Sequence, residues 1–302
     1  MSQKIYKPIF IIGTGRSGTT LFSGLLSYHS DLAWFSNLTN RFPKLLRLAK
    51  FSSLLNIPVL GKLSRNKKFS PRPDESYNIW RLCFPGFVSP IRPLTEEDVT
   101  NEARSSIRRM IELHLTYQGR SRFMTKYTGW SRIRYLNEIF PDSLFIHVLR
   151  DGRAVANSFL NVSWWTGWKG PDNWQWGKLP SLWEKEWEES NRSFIVLAAI
   201  QWKLLIQEIY DSKKILDKNR FLEVRYEDIV DNPIKILRLV TEFSELHWSK
   251  EFENHISTTQ LKNTNYKWER DLTPHQRALL NSCLYDFLKK LRYIEDTQIP
   301  IK

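Results

Sequence analysis

The chain has 302 residues, of which 41% are hydrophobic and 14% aromatic. This composition excludes disordered and fibrous proteins, and the length suits one large α/β domain or two small ones. The formal net charge of +13 predicts anionic partners, such as a nucleotide, a sulfated or phosphorylated acceptor, a nucleic acid or an anionic membrane face.

The cysteine pattern and the N-terminus bear on metal content and location. Cys83 and Cys283 are far apart and form no C-x-x-C motif, so no metal site is predicted, while a structural disulfide stays open. The N-terminal "MSQKIYKP" lacks the apolar core of a signal peptide. No stretch approaches the roughly 18 apolar residues of a membrane span. We therefore expect a cytoplasmic protein.

The chain opens with a strand, a glycine turn and a helix. Residues 9–12 form a continuous apolar run that Gly13 ends, as in a strand buried on both faces. Apolar residues then recur at helical spacing, at Leu21, Phe22, Leu25 and Leu26. Residues 41–73 alternate between basic and apolar and contain Pro and Gly, which predicts short helices and a mobile basic segment.

The middle of the chain continues the alternation of helix and strand. Thr95 with Asp98 forms a capping-box pattern, which predicts a helix from there to about Tyr117. The stretch "WSRIRYLNEIF" predicts another helix, and residues 143–150 predict a second buried strand that ends in a turn. The following "RAVANSFL" returns to helical spacing.

The second half contains one irregular stretch and several helices. Residues 161–181 carry five of the 13 tryptophans together with Gly and Pro, which predicts a loop or insertion. A long helical region is predicted over 182–216, and "RFLEVRYEDI" supplies a third strand. Two further helices are predicted to start after Asn232 and after Thr273, each with proline in its first turn.

Buried strands that alternate with helices predict a three-layer α/β domain spanning residues 1–302, with a mostly parallel sheet covered by helices on both faces. Ligands of such sheets bind beyond the carboxyl ends of the strands. Gly13 and Arg150 each follow a predicted strand end, so we expect them to lie close together.

The loop "GTGRSGTT" predicts an anion-binding site. Gly13 and Gly18 keep the glycine spacing of an ATP-binding loop, but Thr19 stands where that loop carries lysine. Backbone N–H groups and the following helix N-terminus still favour an anion, and Arg16 adds a charge. No acidic partner for Mg²⁺ is apparent. We therefore expect a smaller terminal anion that is handled without metal.

Two motifs together resemble the sulfotransferases that use 3′-phosphoadenosine-5′-phosphosulfate (PAPS). "PIFIIGTGRSGTTLFSGLLSYHSDL" resembles their 5′-phosphosulfate loop, especially in the bacterial, protein-tyrosine and carbohydrate branch. "FIHVLRDGRAVANSF" resembles their second motif, in which Arg150 and Ser158 would hold the 3′-phosphate of the nucleotide. The resemblance implies a P-loop NTPase-like fold, with PAPS as co-substrate.

Weaker similarities extend the resemblance through most of the chain. "MTKYTGWSRIRYLNEIFPDS", "LEVRYEDIVDNPIKIL" and "LKNTNYKWERDLTPHQ" resemble later family segments, whereas residues 41–100 and 161–181 have no counterpart. The nucleotide-binding residues that the resemblance implies are Arg16, Ser17, Gly18, Thr19, Thr20, Arg150, Ser158, Tyr226, Lys262, Asn263, Lys267 and Trp268.

Sulfuryl transfer needs charge neutralisation and a base for the acceptor hydroxyl. Arg16 and Lys126 would flank the transferred group, as the resemblance implies. Tyrosine-sulfating relatives carry a glutamate shortly after the first helix, where this chain reads "DLAWFSNLTN". Asp74 and Glu75 are the next acidic candidates, and we take Glu75 as the hypothetical base. The alternative is that Glu75 is a solvated loop carboxylate.

The acceptor is less well defined. The tryptophans of 161–181 either form an aromatic lid or anchor the loop to the core. A carbohydrate or lipid-linked hydroxyl is the first hypothesis, and a phenol or peptide tyrosine the second. The basic run "GKLSRNKKF" either binds an anionic acceptor, contacts an anionic membrane at the periphery or is simply solvated. The sequence leaves the oligomeric state open.

Three other functions compete with this interpretation. A P-loop phosphotransferase would need the loop lysine, which this chain lacks. A nucleic-acid-binding function would leave Arg150 and Ser158 unexplained, so no nucleic acid is expected as partner. A catalytically inactive binding protein with the sulfotransferase fold also remains open, because the usual glutamate is missing.

Overall fold

A computed structural model describes residues 4–56, 71–88 and 91–295. Within these residues the strands form one five-stranded sheet, in which every pair is parallel and the order is β2-β3-β1-β4-β5. The strands are β1 (Ile9–Gly13), β2 (Leu32–Trp34), β3 (Arg122–Thr128), β4 (Leu144–Leu149) and β5 (Phe221–Arg225). The predicted parallel sheet is confirmed.

Helices cover both faces of the sheet. In chain order they are α1 (Thr19–Leu26), α2 (Asn37–Arg41), α3 (Tyr77–Cys83), α4 (Asn101–Gln118), α5 (Ile133–Ile139), α6 (Gly152–Leu160), α7 (Ser181–Glu189), α8 (Phe194–Ser212), α9 (Tyr226–Asp231), α10 (Pro233–Phe243), α11 (Lys250–Thr258), α12 (Lys267–Asp271) and α13 (Pro274–Lys290).

The alternation of side chains along β1 divides the core into two layers. Ile9 and Ile11 pack with α1, α10 and α11, whereas Phe10 and Ile12 pack with α4 and α5 on the other face. A third apolar cluster joins α6, α8 and α13 beside the sheet. β1 and β4 are neighbouring parallel strands, so their carboxyl ends lie at the same edge of the sheet.

Two sequence predictions of element bounds are wrong. Thr95 and Asp98 do form a capping box, but it closes only one 3₁₀ turn, and α4 begins at Asn101 with Thr100 as its cap. The long helical region is interrupted between α7 and α8, where Asn191 and Arg192 adopt the left-handed conformation. The predicted cap of α13 is confirmed, since Thr273 accepts from the backbone N–H of Gln276.

Other expectations are only partly covered by the described residues. The predicted basic segment at 41–73 includes a 3₁₀ helix at Leu46–Asn56, while residues 57–70 lie outside the description. Cys83 and Cys283 are free thiols. No helix among the described residues is long and apolar enough to cross a membrane.

Candidate functional site: two cavities at the carboxyl ends of β1, β3 and β4

The loop between β1 and α1 turns tightly through left-handed backbone conformations. Gly15, Arg16 and Gly18 have φ angles of 81°, 57° and 95°. Glycine is required at position 18 for a second reason, because a Cβ there would lie 2.3 Å from the ring of Tyr226. The loop therefore brings its backbone against the residue that follows β5.

This loop has the features of an anion cradle. Within the described part of the chain, the backbone N–H groups of residues 15–18 have no hydrogen-bond acceptor. The hydroxyl of Ser17 is buried and also unpartnered. A Cβ at Gly13 would lie 2.3 Å from that hydroxyl, so the glycine leaves space for it. Unpaired donors at a helix N-terminus fit a phosphate or sulfonate.

Arg150 follows β4 and lies directly against the loop. Its Nη1 donates to the carbonyl of Arg16 at 2.9 Å, and its Nη2 and Nε donate to Thr264 Oγ1 and Asn265 Oδ1 at 3.2 and 3.1 Å. The guanidinium lies 4.3 Å from the ring centre of Tyr226. Burial lowers the pKa of Arg150. The two strand ends thus meet, as their positions in the sequence predicted.

Arg16 and Ser158 form a second link between the two motifs. The Nε atom of Arg16 donates to Ser158 Oγ at 2.8 Å, which connects the glycine loop to α6. Arg16 is otherwise exposed, so its side chain is held at the surface by this contact.

A cavity of about 420 Å³ lies beside the glycine loop and contains most of the predicted nucleotide residues. Its lining comprises Arg16, Gly18, Thr19, Thr20, Leu21, Arg150, Tyr226, Gln260, Leu261 and Lys262. We call it the loop cavity. Its wall carries three cationic side chains and one aromatic ring.

Five predicted nucleotide residues do not line the loop cavity. Two of them, Ser17 and Ser158, belong to the glycine loop and to α6, and the other three lie near Lys262. Asn263 Oδ1 accepts a hydrogen bond from the backbone N–H of Asn265. Lys267 is exposed at the start of α12, and Trp268 packs under the guanidinium of Arg153 at 4.7 Å. These residues support or flank the segment that carries Lys262, and the structure does not bring them to the cavity wall.

Lys126 and Glu75 meet on the other side of the loop. Lys126 lies within β3 and is only 5% exposed, so its charge is buried and not solvated. Its Nζ lies 3.0 Å from Thr20 Oγ1 and 3.2 Å from Glu75 Oε1. Thr128 Oγ1 donates to the same carboxylate oxygen at 3.0 Å. Glu75 is therefore held beside the loop and is not a solvated loop carboxylate.

Competing influences act on the pKa of Glu75. Burial raises the pKa, but the charge of Lys126 and hydrogen bonds from Tyr77, Lys126 and Thr128 outweigh burial and hold the pKa below its ordinary value. Burial raises the pKa of the Tyr77 phenol, so its hydroxyl remains a proton donor to Glu75. The carboxylate is consequently charged at neutral pH, which is the form that can accept a proton.

A second cavity of about 470 Å³ contains this ion pair, and we call it the acid cavity. Its polar lining includes Asp74, Glu75, Tyr77, Lys126, Thr128 and Arg132, and its apolar lining includes Val88, Trp130, Phe159, Trp164 and Trp176. The acid cavity and the loop cavity share Arg16, Thr19 and Thr20. Two spaces of ligand size therefore meet at the start of α1.

Sequence reasoning missed two partners of Glu75. Thr128 stands two residues after Lys126 in β3, so the period of two along a strand places both side chains on one face. That signal was present in the sequence, but β3 itself was not predicted. Tyr77 opens α3 two residues after Glu75, and nothing in the sequence alone links its hydroxyl to that carboxylate.

The tryptophan-rich loop serves both of the roles considered for it. Trp165, Trp174 and Trp176 are buried, and Trp165 Nε1 donates to Gln201 Oε1 in α8 at 2.8 Å. Trp164 is 49% exposed and lines the acid cavity, whereas the exposed Trp168 lines neither cavity. The loop is thus anchored to the core by buried rings and presents two rings, Trp164 and Trp176, to the acid cavity.

Comparison with known proteins supports one family. The family described as "Sulfotransferase family" matches residues 8–250. Protein-tyrosine sulfotransferase A of Caenorhabditis elegans is 26% identical over 248 residues, which cover 82% of this chain and 52% of that protein. This chain therefore spans about half the length of that relative.

A second relative is omega-hydroxy-beta-dihydromenaquinone-9 sulfotransferase Stf3 of Mycobacterium bovis, which is 23% identical, with 98% of this chain and 77% of that protein covered. The fold is similar to that of sulfotransferase STF9 from Mycobacterium avium, with a TM-score of 0.60, 16% identity and coverage of 99% of this chain and 79% of that chain. The chain belongs to the sulfotransferase family and has its P-loop-like α/β fold.

Proposed function

We propose that this protein transfers the sulfuryl group of PAPS to a hydroxyl group of an acceptor. One observation carries the proposal: the loop cavity and the acid cavity share a wall formed by Arg16, Thr19 and Thr20. A donor in one cavity and an acceptor in the other would meet at that wall. Such an arrangement holds reacting groups in line, which supplies much of the rate enhancement in group transfer.

The loop cavity is the proposed site of the nucleotide. Unpaired N–H groups of residues 15–18 would bind the 5′-phosphosulfate, while Arg150 and Ser158 would bind the 3′-phosphate. The ring of Tyr226 lies between the loop and Arg150 and would contact the nucleotide. Lys262, Asn263, Lys267 and Trp268 belong to the segment that would cover it; of these, Lys262 reaches the wall.

The acid cavity is the proposed site of the acceptor. The acceptor oxygen would attack sulfur as the bond between sulfur and the bridging phosphate oxygen breaks, giving a sulfate ester and adenosine 3′,5′-bisphosphate. Glu75 would take the hydroxyl proton, and Lys126 and Arg16 would neutralise charge on the sulfonate and the leaving phosphate. Lys126 lies between Glu75 and Thr20, and Thr20 belongs to the shared wall. Among the described residues, no group of three or more His, Cys, Asp or Glu side chains could hold a metal ion.

The acceptor is proposed to be a carbohydrate or lipid-linked hydroxyl first, and a phenol or peptide tyrosine second. The apolar and aromatic wall of the acid cavity supports a ring or an apolar chain next to the hydroxyl. One relative is named for a hydroxylated dihydromenaquinone and another for protein tyrosine, so the family accommodates both kinds of hydroxyl.

The decisive experiment is incubation of the protein with PAPS and a panel of sugars, glycolipids, long-chain alcohols and phenols, with product mass as the readout. A mass increase of one SO₃ group on an acceptor supports the proposal. Failure of every acceptor, combined with binding of adenosine 3′,5′-bisphosphate, would favour an inactive binding protein.

Nucleotide choice separates sulfuryl from phosphoryl transfer. Adenosine 3′,5′-bisphosphate should raise the melting temperature, whereas ATP with Mg²⁺ should have little effect. The opposite result would favour a P-loop phosphotransferase and contradict the proposal.

A further inference from the structure

Residues 41–52 contain a repeat of three residues. The sequence "RFPKLLRLAKFS" places a basic residue at positions 41, 44, 47 and 50 and an apolar residue at 42, 45, 48 and 51. The third position of each triplet is Pro43, Leu46, Ala49 or Ser52. This repeat has no role in the two cavities.

The backbone has the period that aligns these positions. Leu45 N donates to Phe42 O at 2.9 Å, Leu48 N donates to Leu45 O at 3.0 Å, and a 3₁₀ helix continues over Leu46–Asn56. A 3₁₀ helix has three residues per turn, so residues three apart lie above one another. The repeat therefore forms parallel rows of side chains.

In each triplet the third residue is more buried than the other two, and Leu48 is the half-buried member of the apolar row. Ala49 and Ser52 are buried. The basic residues Arg41, Lys44, Arg47 and Lys50 are exposed, and so are Phe42, Leu45 and Phe51. Leu45 is the most exposed of these apolar residues at 59%. One basic row thus runs beside one apolar row, and we call residues 41–51 the striped surface.

No carboxylate offsets the charge of this surface from within its own stretch of sequence. Asp31 and Asp74 are consecutive acidic residues in the chain, with none between them. Lys50 lies over the ring of Tyr117 in α4. The exposed side chains of Arg41, Lys44 and Arg47 give the striped surface an excess of positive charge, which complements an anionic partner.

We propose that the striped surface docks the protein onto an anionic lipid bilayer. The basic row would bind lipid phosphates, while Phe42, Leu45 and Phe51 would enter the interface between head groups and acyl chains. A nucleic acid or an acidic peptide would neutralise the basic row but would leave the apolar row exposed to water. The pairing of both rows favours a bilayer.

The striped surface lies close to the lining of the acid cavity. Asn40, beside Arg41 in α2, donates to Asp74 Oδ2 at 2.7 Å, and Asp74 lines the acid cavity. A bilayer at the striped surface would lie next to Asn40, which contacts the lining of that cavity, and this suits an acceptor carried by a lipid. That last step rests on the proposed sulfuryl transfer, whereas docking itself does not.

Vesicle co-sedimentation of the full chain, without nucleotide, tests docking. We expect binding to vesicles of phosphatidylcholine and phosphatidylglycerol, and weak binding to phosphatidylcholine alone. Lys44→Gln/Arg47→Gln should weaken binding about 10- to 30-fold, because each cation near an anionic surface contributes about a factor of five. The matched variant Lys185→Gln/Lys214→Gln removes two exposed charges from other helices and should change binding less than twofold.

The apolar row has its own test. Leu45→Ser/Phe51→Ser should weaken vesicle binding about tenfold or more, whereas Leu182→Ser/Leu239→Ser, at two exposed leucines elsewhere, should not. A thermal melt of each variant confirms that it is folded. Equal binding by wild type and both striped-surface variants would overturn the proposal.

A fluorescent label reports insertion directly. Leu45→Cys can be labelled selectively with an environment-sensitive dye, because burial raises the pKa of the Cys83 thiol and raises that of Cys283 to about 12. Anionic vesicles should shift its emission to the blue, with no shift for a label at Leu182→Cys. The absence of a shift, or tighter binding to duplex DNA or polyglutamate than to vesicles, would contradict docking on a bilayer.

Discussion

The carbonyl oxygen of Arg16 accepts a hydrogen bond of 2.9 Å from Nη1 of Arg150. This contact joins the loop after β1 to the turn after β4, which are 134 positions apart in the chain. Each of the two residues also faces the loop cavity, so one ligand can contact both.

Arg150→Lys should weaken binding of adenosine 3′,5′-bisphosphate about 10- to 100-fold, because lysine retains the charge but loses the fork that holds a phosphate bidentately. Binding of adenosine 5′-monophosphate, which lacks the 3′-phosphate, should change little. Calorimetry measures both affinities, with Arg238→Lys on α10 as the control. An equal loss of affinity for both ligands would show that Arg150 does not contact the 3′-phosphate.

Lys126→Ala should reduce kcat about 100- to 1000-fold while the affinity for the nucleotide changes less than about threefold, since the lysine is proposed to act on charge that develops during transfer. Steady-state kinetics and calorimetry give the two quantities. Lys126→Arg, which keeps a charge beside Thr20 of the shared wall, should recover part of the rate. A similar loss in kcat and in nucleotide affinity would indicate a binding role only.

Glu75 must be deprotonated to act as the base, so activity should fall as pH drops through its pKa. That pKa is held below its ordinary value, and the fall should therefore lie on the acid side of pH 4.5. Tyr77→Phe removes a hydrogen bond that lowers the pKa, so the acid limb of the kcat profile should move to higher pH. Tyr266→Phe, at an exposed tyrosine, should leave the limb in place. Glu75→Gln should remove both the limb and most of the activity.

Gly18→Ala should destabilise the protein by about 1–3 kcal/mol, because position 18 has a left-handed φ and the new Cβ would lie 2.3 Å from the Tyr226 ring. Gly24→Ala is the matched control, since no atom lies within 4 Å of its Cβ and alanine favours the helix α1. Denaturant unfolding measures both changes. A Gly18→Ala variant as stable as wild type would contradict the close approach of the loop to Tyr226.

Trp164→Ala should raise the KM of an acceptor about 2- to 10-fold, because the ring lines the acid cavity and aromatic contacts contribute on that scale. Trp168→Ala, in the same loop but outside both cavities, should leave the KM unchanged. An increase in the KM of PAPS in either variant would indicate that the two cavities have been assigned to the wrong ligands.

The sequence predicted three of the five strands, and the two omissions have a physical cause. β2 contains only three residues, which is too short for a periodic signal. β3 is buried but contains Arg122 and Lys126, so it shows no continuous apolar run. Tertiary contacts compensate these charges, since Arg122 donates to the carbonyl of Lys7 and Lys126 meets Glu75. A pattern of hydrophobic residues cannot reveal partners so distant in the chain.

The parts of the site that belong to a sequence motif were the easier parts to predict. The glycine loop and the segment around Arg150 are local patterns, and the sheet brings them together as parallel strand ends. Glu75 was only one of two acidic candidates, because the contact that distinguishes it from Asp74 comes from Lys126, 51 positions away. Asp74 instead accepts from Asn40.

The shared wall of the two cavities has a consequence for the order of events in turnover. Among the described residues, the two linings have only Arg16, Thr19 and Thr20 in common. Under the proposed sulfuryl transfer, a spent nucleotide would therefore be able to remain in the loop cavity while a fresh acceptor enters the acid cavity. A complex of the protein with the spent nucleotide and an acceptor has no sulfuryl group to transfer, so it is a dead-end complex. We therefore expect high acceptor concentrations to slow the reaction, with release of adenosine 3′,5′-bisphosphate as the step that becomes limiting.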